Sequence, residues 1–142
     1  MSYFSSDAEI ERVGRGLLAR TLPKPEWTHA AHFAAAFWLL RHRTLNAMRD
    51  MPDLIRAYND ATGVPNTDTS GYHETITRAS LRAARAWLAE RPHSSLCEAL
   101  DELLASHYGR SDWLLAHWSK ERLFSVEARR SWIEPDLGPL PF

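Results

Sequence analysis

Trp27-Thr28-His29-Ala30-Ala31-His32-Phe33-Ala34-Ala35-Ala36-Phe37-Trp38-Leu39-Leu40 is the stretch on which the fold turns. From His29 onward it is apolar nearly all the way round a helical wheel. A helix without a polar face belongs at the centre of a bundle. Thr28 suits the N-cap, because a threonine hydroxyl accepts a hydrogen bond from a first-turn N–H. The helix is predicted from His29 to about residue 43. Its apolar run is interrupted by His32 and ended by Arg41, which leaves it too short to span a bilayer.

Working outward, Ser6-Asp7-Ala8-Glu9 has the pattern of a capping box, and Ile10, Val13, Leu17 and Leu18 follow at helical spacing. A first helix is predicted over residues 7–20, and Pro23 and Pro25 make the next stretch an extended connector. After the central helix, Thr44 is expected to cap a third helical stretch. Pro52 should break or kink that stretch and leave residues 53–61 as a separate helix, since proline lacks the N–H donor and clashes with the preceding turn. The polar loop Val64–Gly71 reads VPNTDTSG. Ser70 or Thr69 is expected to cap a helix running to about Glu90. Ser95-Leu96-Cys97-Glu98 is a second capping box, with Leu96, Leu100, Leu103 and Leu104 as its stripe and Gly109 as a C′ residue. Ser111 and Ser125 read as caps of two short helices. The proline-rich tail over about residues 135–142 should lie extended and pack through Leu137, Leu140 and Phe142. No strand alternation or repeat is present. Residues 1–142 are predicted to form a single all-α domain, an irregular helical bundle.

Composition narrows the functional classes. The chain is 44% hydrophobic and 25% charged, which is globular rather than disordered. Its formal net charge of −1 gives no basic field for nucleic acid or an anionic membrane. The N-terminus lacks a basic region followed by an apolar run, so a cytoplasmic location is expected. The single cysteine, Cys97, excludes an internal disulfide.

Seven histidines is a generous number for 142 residues, and three stand out by position. His29 and His32 lie at i and i+3 and share a face with Phe33, Ala36 and Leu40. Both occupy the first turn, where the helix dipole disfavours imidazolium. His73 opens the following long helix, and the wheel sets it on the stripe of Ile76, Ser80, Ala84 and Trp87. Three neutral imidazoles at two helix starts would suit zinc or iron, with an open position for a substrate. Asp68 or Glu26 would be a fourth ligand or general base. The wheel turns Glu74 to the opposite side, where an exposed ion pair with Arg78 is expected.

Around that site, Trp27 and Tyr72 are candidate pocket walls, and Asn66 and Thr69 belong to a loop that either caps a helix or forms a substrate-binding lip. Arg122, with Arg129 and Arg130, could hold an anionic substrate group. Each candidate also has a plainer role. A buried histidine is commonly a hydrogen-bonded core residue, and a basic cluster is commonly a solvated helix face.

The strings Trp27-Thr28-His29-Ala30-Ala31-His32 and Asn66-Thr67-Asp68-Thr69-Ser70-Gly71-Tyr72-His73-Glu74-Thr75 resemble those of a family of small bacterial proteins. So does the ending from Glu121-Arg122-Leu123-Phe124-Ser125 to Trp132-Ile133-Glu134-Pro135-Asp136-Leu137. The likeness covers most of the chain and carries no activity with it. A more distant similarity is to DinB-like bundles, which bind a metal through three histidines. The histidine spacing here differs from theirs, so that likeness is one of architecture.

The leading expectation is a metal-dependent enzyme on an all-α scaffold with His29, His32 and His73 as ligands. Zinc would make it hydrolase-like or transferase-like, and iron an oxidoreductase. The alternatives are a metal-free module that binds a small molecule and a helical interaction protein with structural histidines.

Overall fold

α2, His29–Leu40, buries every residue from Ala30 to Leu39 except His32, as its apolar circumference demands. A computed structural model describes residues 3–142. Around α2 pack α1 (Asp7–Ala19), α3 (Ala47–Ala61), α4 (Glu74–Ala89) and α5 (Leu96–Ala105). Two short helices follow, α6 (Lys120–Leu123) and α7 (Val126–Arg130), of which α7 packs on α4. Short 3-10 turns occupy Lys24–Glu26, His107–Gly109 and Trp113–Ala116. There is no strand among the described residues, so the fold is all-α, as expected. No helix among them is long and apolar enough to cross a membrane.

The caps that start the helices are local and were readable. Ser6 Oγ accepts from Glu9 N–H at 3.4 Å, Thr28 Oγ1 from Ala31 N–H at 3.2 Å, Ser95 Oγ from Glu98 N–H at 3.1 Å and Ser125 Oγ from Ala128 N–H at 3.1 Å. Each satisfies an N–H that the helix itself leaves without a partner. α1 lies so close on α2 that a Cβ on Gly14 would meet the Trp38 ring at 2.3 Å.

Five features depart from expectation. α3 is one helix that runs through Pro52, capped by Asn46 instead of Thr44. Pro52 cannot donate to the Met48 carbonyl one turn back. Arg78 Nη1, from α4, donates to that carbonyl at 2.6 Å and so repairs the gap that the proline leaves. α4 starts later than predicted, with His73 itself as N-cap in an extended conformation (φ −132°, ψ 112°). Gly109 lies beyond the end of α5, where a Cβ would stand 1.9 Å from the Leu104 carbonyl oxygen. Asp112, not Ser111, immediately precedes the 3-10 turn at Trp113, and Ser119 caps α6. In the tail, Leu140 and Phe142 pack on the core but Leu137 is 61% exposed.

Candidate functional site

Between α2, α3 and α4 lies a predominantly apolar cavity of about 280 Å³. α2 supplies His29, His32 and Phe33, α3 supplies Met51 and Ile55, and α4 supplies Ile76, Thr77 and Ser80. Phe33 and Ala36 share this wall with the two histidines, as the helical wheel predicted, whereas Leu40, expected on the same face, does not line it. On the other side of His32, Ile55, Ile76 and Thr77 is an outer groove of about 420 Å³. Its remaining walls include Trp27, Tyr72, His73, Phe124 and Arg129. The groove is followed by a basic hollow where Tyr72 and Arg129 recur together with Arg56, Arg130 and Asp68. His32 therefore stands between two hollows, in the wall of both.

The hydrogen bonds of the histidines fix their tautomers, since a carbonyl oxygen only accepts. His32 Nδ1 donates to the Thr28 carbonyl at 2.7 Å, and Trp27 stacks on the ring at a centroid distance of 3.8 Å. Nε2, on the far side of the ring, then carries a lone pair. It has no hydrogen-bond partner among the described residues. His29 Nε2 donates to the Tyr108 carbonyl at 2.8 Å, and its ring meets Phe33 edge-on. His73 is different, because both of its nitrogens are engaged. Nε2 donates to the Leu123 carbonyl at 2.7 Å, and Nδ1 accepts from Ile76 N–H at 3.1 Å.

The structure thus brings His29 and His32 to one cavity and leaves His73 on the outer groove, bound to backbone at both nitrogens. Among the described residues no group of three or more His, Cys, Asp or Glu side chains could hold a metal ion. The two carboxylates expected beside the histidines are tied elsewhere. Asp68 makes a two-point ion pair with Arg130, at 2.8 and 2.7 Å, and the guanidinium lowers its pKa. Glu26 pairs with Arg12 at 2.7 Å. Neither carboxylate lines the cavity.

The candidate substrate residues divide in the same way. Trp27 and Tyr72 line the groove. Asn66 organises its own loop: Oδ1 accepts from Tyr72 N–H and Asn59 Nδ2, and Nδ2 donates to the Arg56 carbonyl and Asp60. Thr69 is exposed, with its N–H donated to Thr67 Oγ1. The loop is therefore held mainly by its own bonds. Arg122 Nε donates to the Glu134 carbonyl and lies away from both hollows. Glu74 pairs with Arg78 at 3.1 Å as expected, although the pair is partly buried and not exposed. Sequence reasoning missed Met51, Ile55 and Thr77, which resemble any other residues on the buried sides of α3 and α4.

Burial pushes the His32 imidazole down to about 4 from 6.5; the Thr28 bond opposes the shift and neighbouring His29 adds to it. His73 moves in the same direction, chiefly through burial, with the Leu123 bond opposing and the Arg129 charge assisting. Unfolded rings take up protons that these folded rings resist, so the unfolded state binds more protons between about pH 6.5 and about pH 4. Stability is full above that window and is lost as the pH falls through it. The whole His32 shift would correspond to about 3 kcal/mol, and the half-buried position of the residue reduces this to about 2. Urea unfolding should give a stability lower by about 1 kcal/mol at pH 5 than at pH 7.5. Equal or greater stability at the lower pH would contradict the assignment of neutral, buried rings.

Comparison with protein-family models, with curated proteins and with solved structures gives no match. The functional reading rests on the chemistry of the site.

Proposed function

We propose that the protein is a binding module for a small, largely apolar organic molecule that carries a hydroxyl or N–H donor, held in the cavity beside His32. The observation that carries this reading is the state of the His32 ring. Its Nδ1–H is committed to the Thr28 carbonyl and Trp27 stacks on one face. The neutral ring therefore keeps an acceptor nitrogen without a protein partner, in a residue that lines a hollow of otherwise apolar character. Ligand sites typically combine an apolar wall with one or two oriented polar groups of this kind. Orientation costs the ring little on binding, because it is already clamped.

Isothermal titration with para-propylphenol tests the reading. The phenol should bind and propylbenzene should bind about tenfold more weakly, the difference being one buried hydrogen bond. His32→Phe should erase that difference and leave the binding of propylbenzene nearly unchanged. Binding of neither compound, or no preference for the phenol, would overturn the reading.

A metal-dependent enzyme on His29, His32 and His73 is the second reading, favoured by two imidazoles one turn apart in one cavity wall. It requires His73 to give up at least the Ile76 bond at Nδ1, while Nε2–H could go on donating to the Leu123 carbonyl. Near-stoichiometric zinc or iron in protein purified without a tag or chelator would decide for it.

A further inference from the structure

The outer groove has a feature that an apolar ligand alone does not use. Three arginines line it and the basic hollow beyond: Arg56, Arg129 and Arg130. Arg130 is neutralised by Asp68 at 2.7 Å, and Arg56 contacts Asp53 at 3.1 Å while it covers the Tyr72 ring. Arg129 has no carboxylate partner among the described residues. Its Nη1 donates to the Gly71 and Tyr72 carbonyls at 2.9 and 3.2 Å, which fixes the guanidinium at the rim. Among the described residues Nε and Nη2 donate to no acceptor, and no acidic side chain lines the groove. A half-buried guanidinium held in place by one nitrogen, with further donors left over, is matched by a planar oxyanion. The rest of the groove is apolar and aromatic, including Trp27, Tyr72 and Phe124, the last 58% exposed at the mouth.

We propose that the ligand is an amphipathic carboxylate, with its apolar body against Ile55, Ile76 and His32 and its carboxylate on the Arg129 guanidinium. This rests on the ligand-site reading above and adds the anionic group. His32 and Arg129 both line the groove, so one molecule held there meets a hydrogen-bond acceptor and a positive charge. Arg129 acts here as a binding residue and no reaction step is involved.

The test compares para-hydroxyphenylpropanoate with its neutral amide, which has nearly the same shape. The carboxylate should bind about tenfold more tightly at about pH 7, as a charge-assisted pair at a partly buried site would give. Its advantage should shrink when NaCl is raised from about 0.05 to about 0.5 M, while binding of the amide holds. In Arg129→Gln the two should bind within about twofold of each other. Arg129→Lys keeps the charge without the fork and should retain part of the preference. Continued amide binding by both variants shows that the site is still folded. Equal affinity for carboxylate and amide in the wild type, or an undiminished preference in Arg129→Gln, would overturn the anion proposal. If the amide and para-propylphenol both fail to bind the wild type, the ligand-site reading itself falls.

Discussion

His73→Ala should lower stability by about 3 kcal/mol, which for a domain of this size is a fall of about 10 °C in Tm. The imidazole does two jobs. Nδ1 caps α4 by accepting from Ile76 N–H, and Nε2–H holds the Leu123 carbonyl at the end of α6. Alanine removes the cap, worth about 1 kcal/mol, and strands a buried carbonyl, worth about 1–3 more. It also leaves a void where a 7% exposed ring had been. His73→Asn should recover about half of the loss, since asparagine is a strong N-cap but too short to reach Leu123. Thermal unfolding of the three proteins checks this. An alanine variant within about 0.5 kcal/mol of wild type would remove His73 from the framework. An asparagine variant as weak as alanine would remove its capping role.

Ser80→Phe should weaken para-propylphenol binding by about thirtyfold or more, a loss of about 2 kcal/mol. Ser80 lies on α4 in the cavity wall, half-buried. A phenyl ring at this position occupies the hollow between α2 and α3. It also adds apolar contact, so stability should hold or rise while binding is lost. That divergence separates an occluded site from an unfolded one. Binding within about threefold of wild type would place the ligand elsewhere.

Much of the helical framework was legible in the sequence because its signals are local. Ser6, Thr28, Ser95 and Ser125 cap their helices through groups three residues away. The apolar circumference of α2 likewise identifies the centre of the bundle. Pro52 misled because the Met48 carbonyl it leaves unbonded is repaired by Arg78, thirty residues beyond Met48 and on another helix. His73 misled for a different reason. A helical wheel assigns faces only to residues with helical dihedrals, and His73 is extended, so its ring turns to the α6 backbone instead of the stripe of Ile76 and Ser80.

The geometry of the candidate site was legible in part. His29 and His32 share one cavity wall, as expected, because two helical positions at i and i+3 share a face whatever surrounds them. Asp68 and Glu26 were free carboxylates in the sequence and ion pairs in the structure, with Arg130 and Arg12 as partners. In the basic cluster, Arg122 was the candidate that stood out, whereas Arg129 is the one that lines the groove. The difference lies in which way each side chain leaves its short helix, which residue type does not encode.

The most direct test of the ligand site is the nitrogen NMR spectrum of the imidazole rings at about pH 7, recorded with and without para-propylphenol. His32 Nε2 should begin as an unprotonated nitrogen and move in the direction of hydrogen-bond acceptance as the phenol is added. His73, already bonded at both nitrogens, should not move. A His32 resonance unchanged while the protein is saturated with phenol would show that the cavity beside His32 is not where the ligand binds.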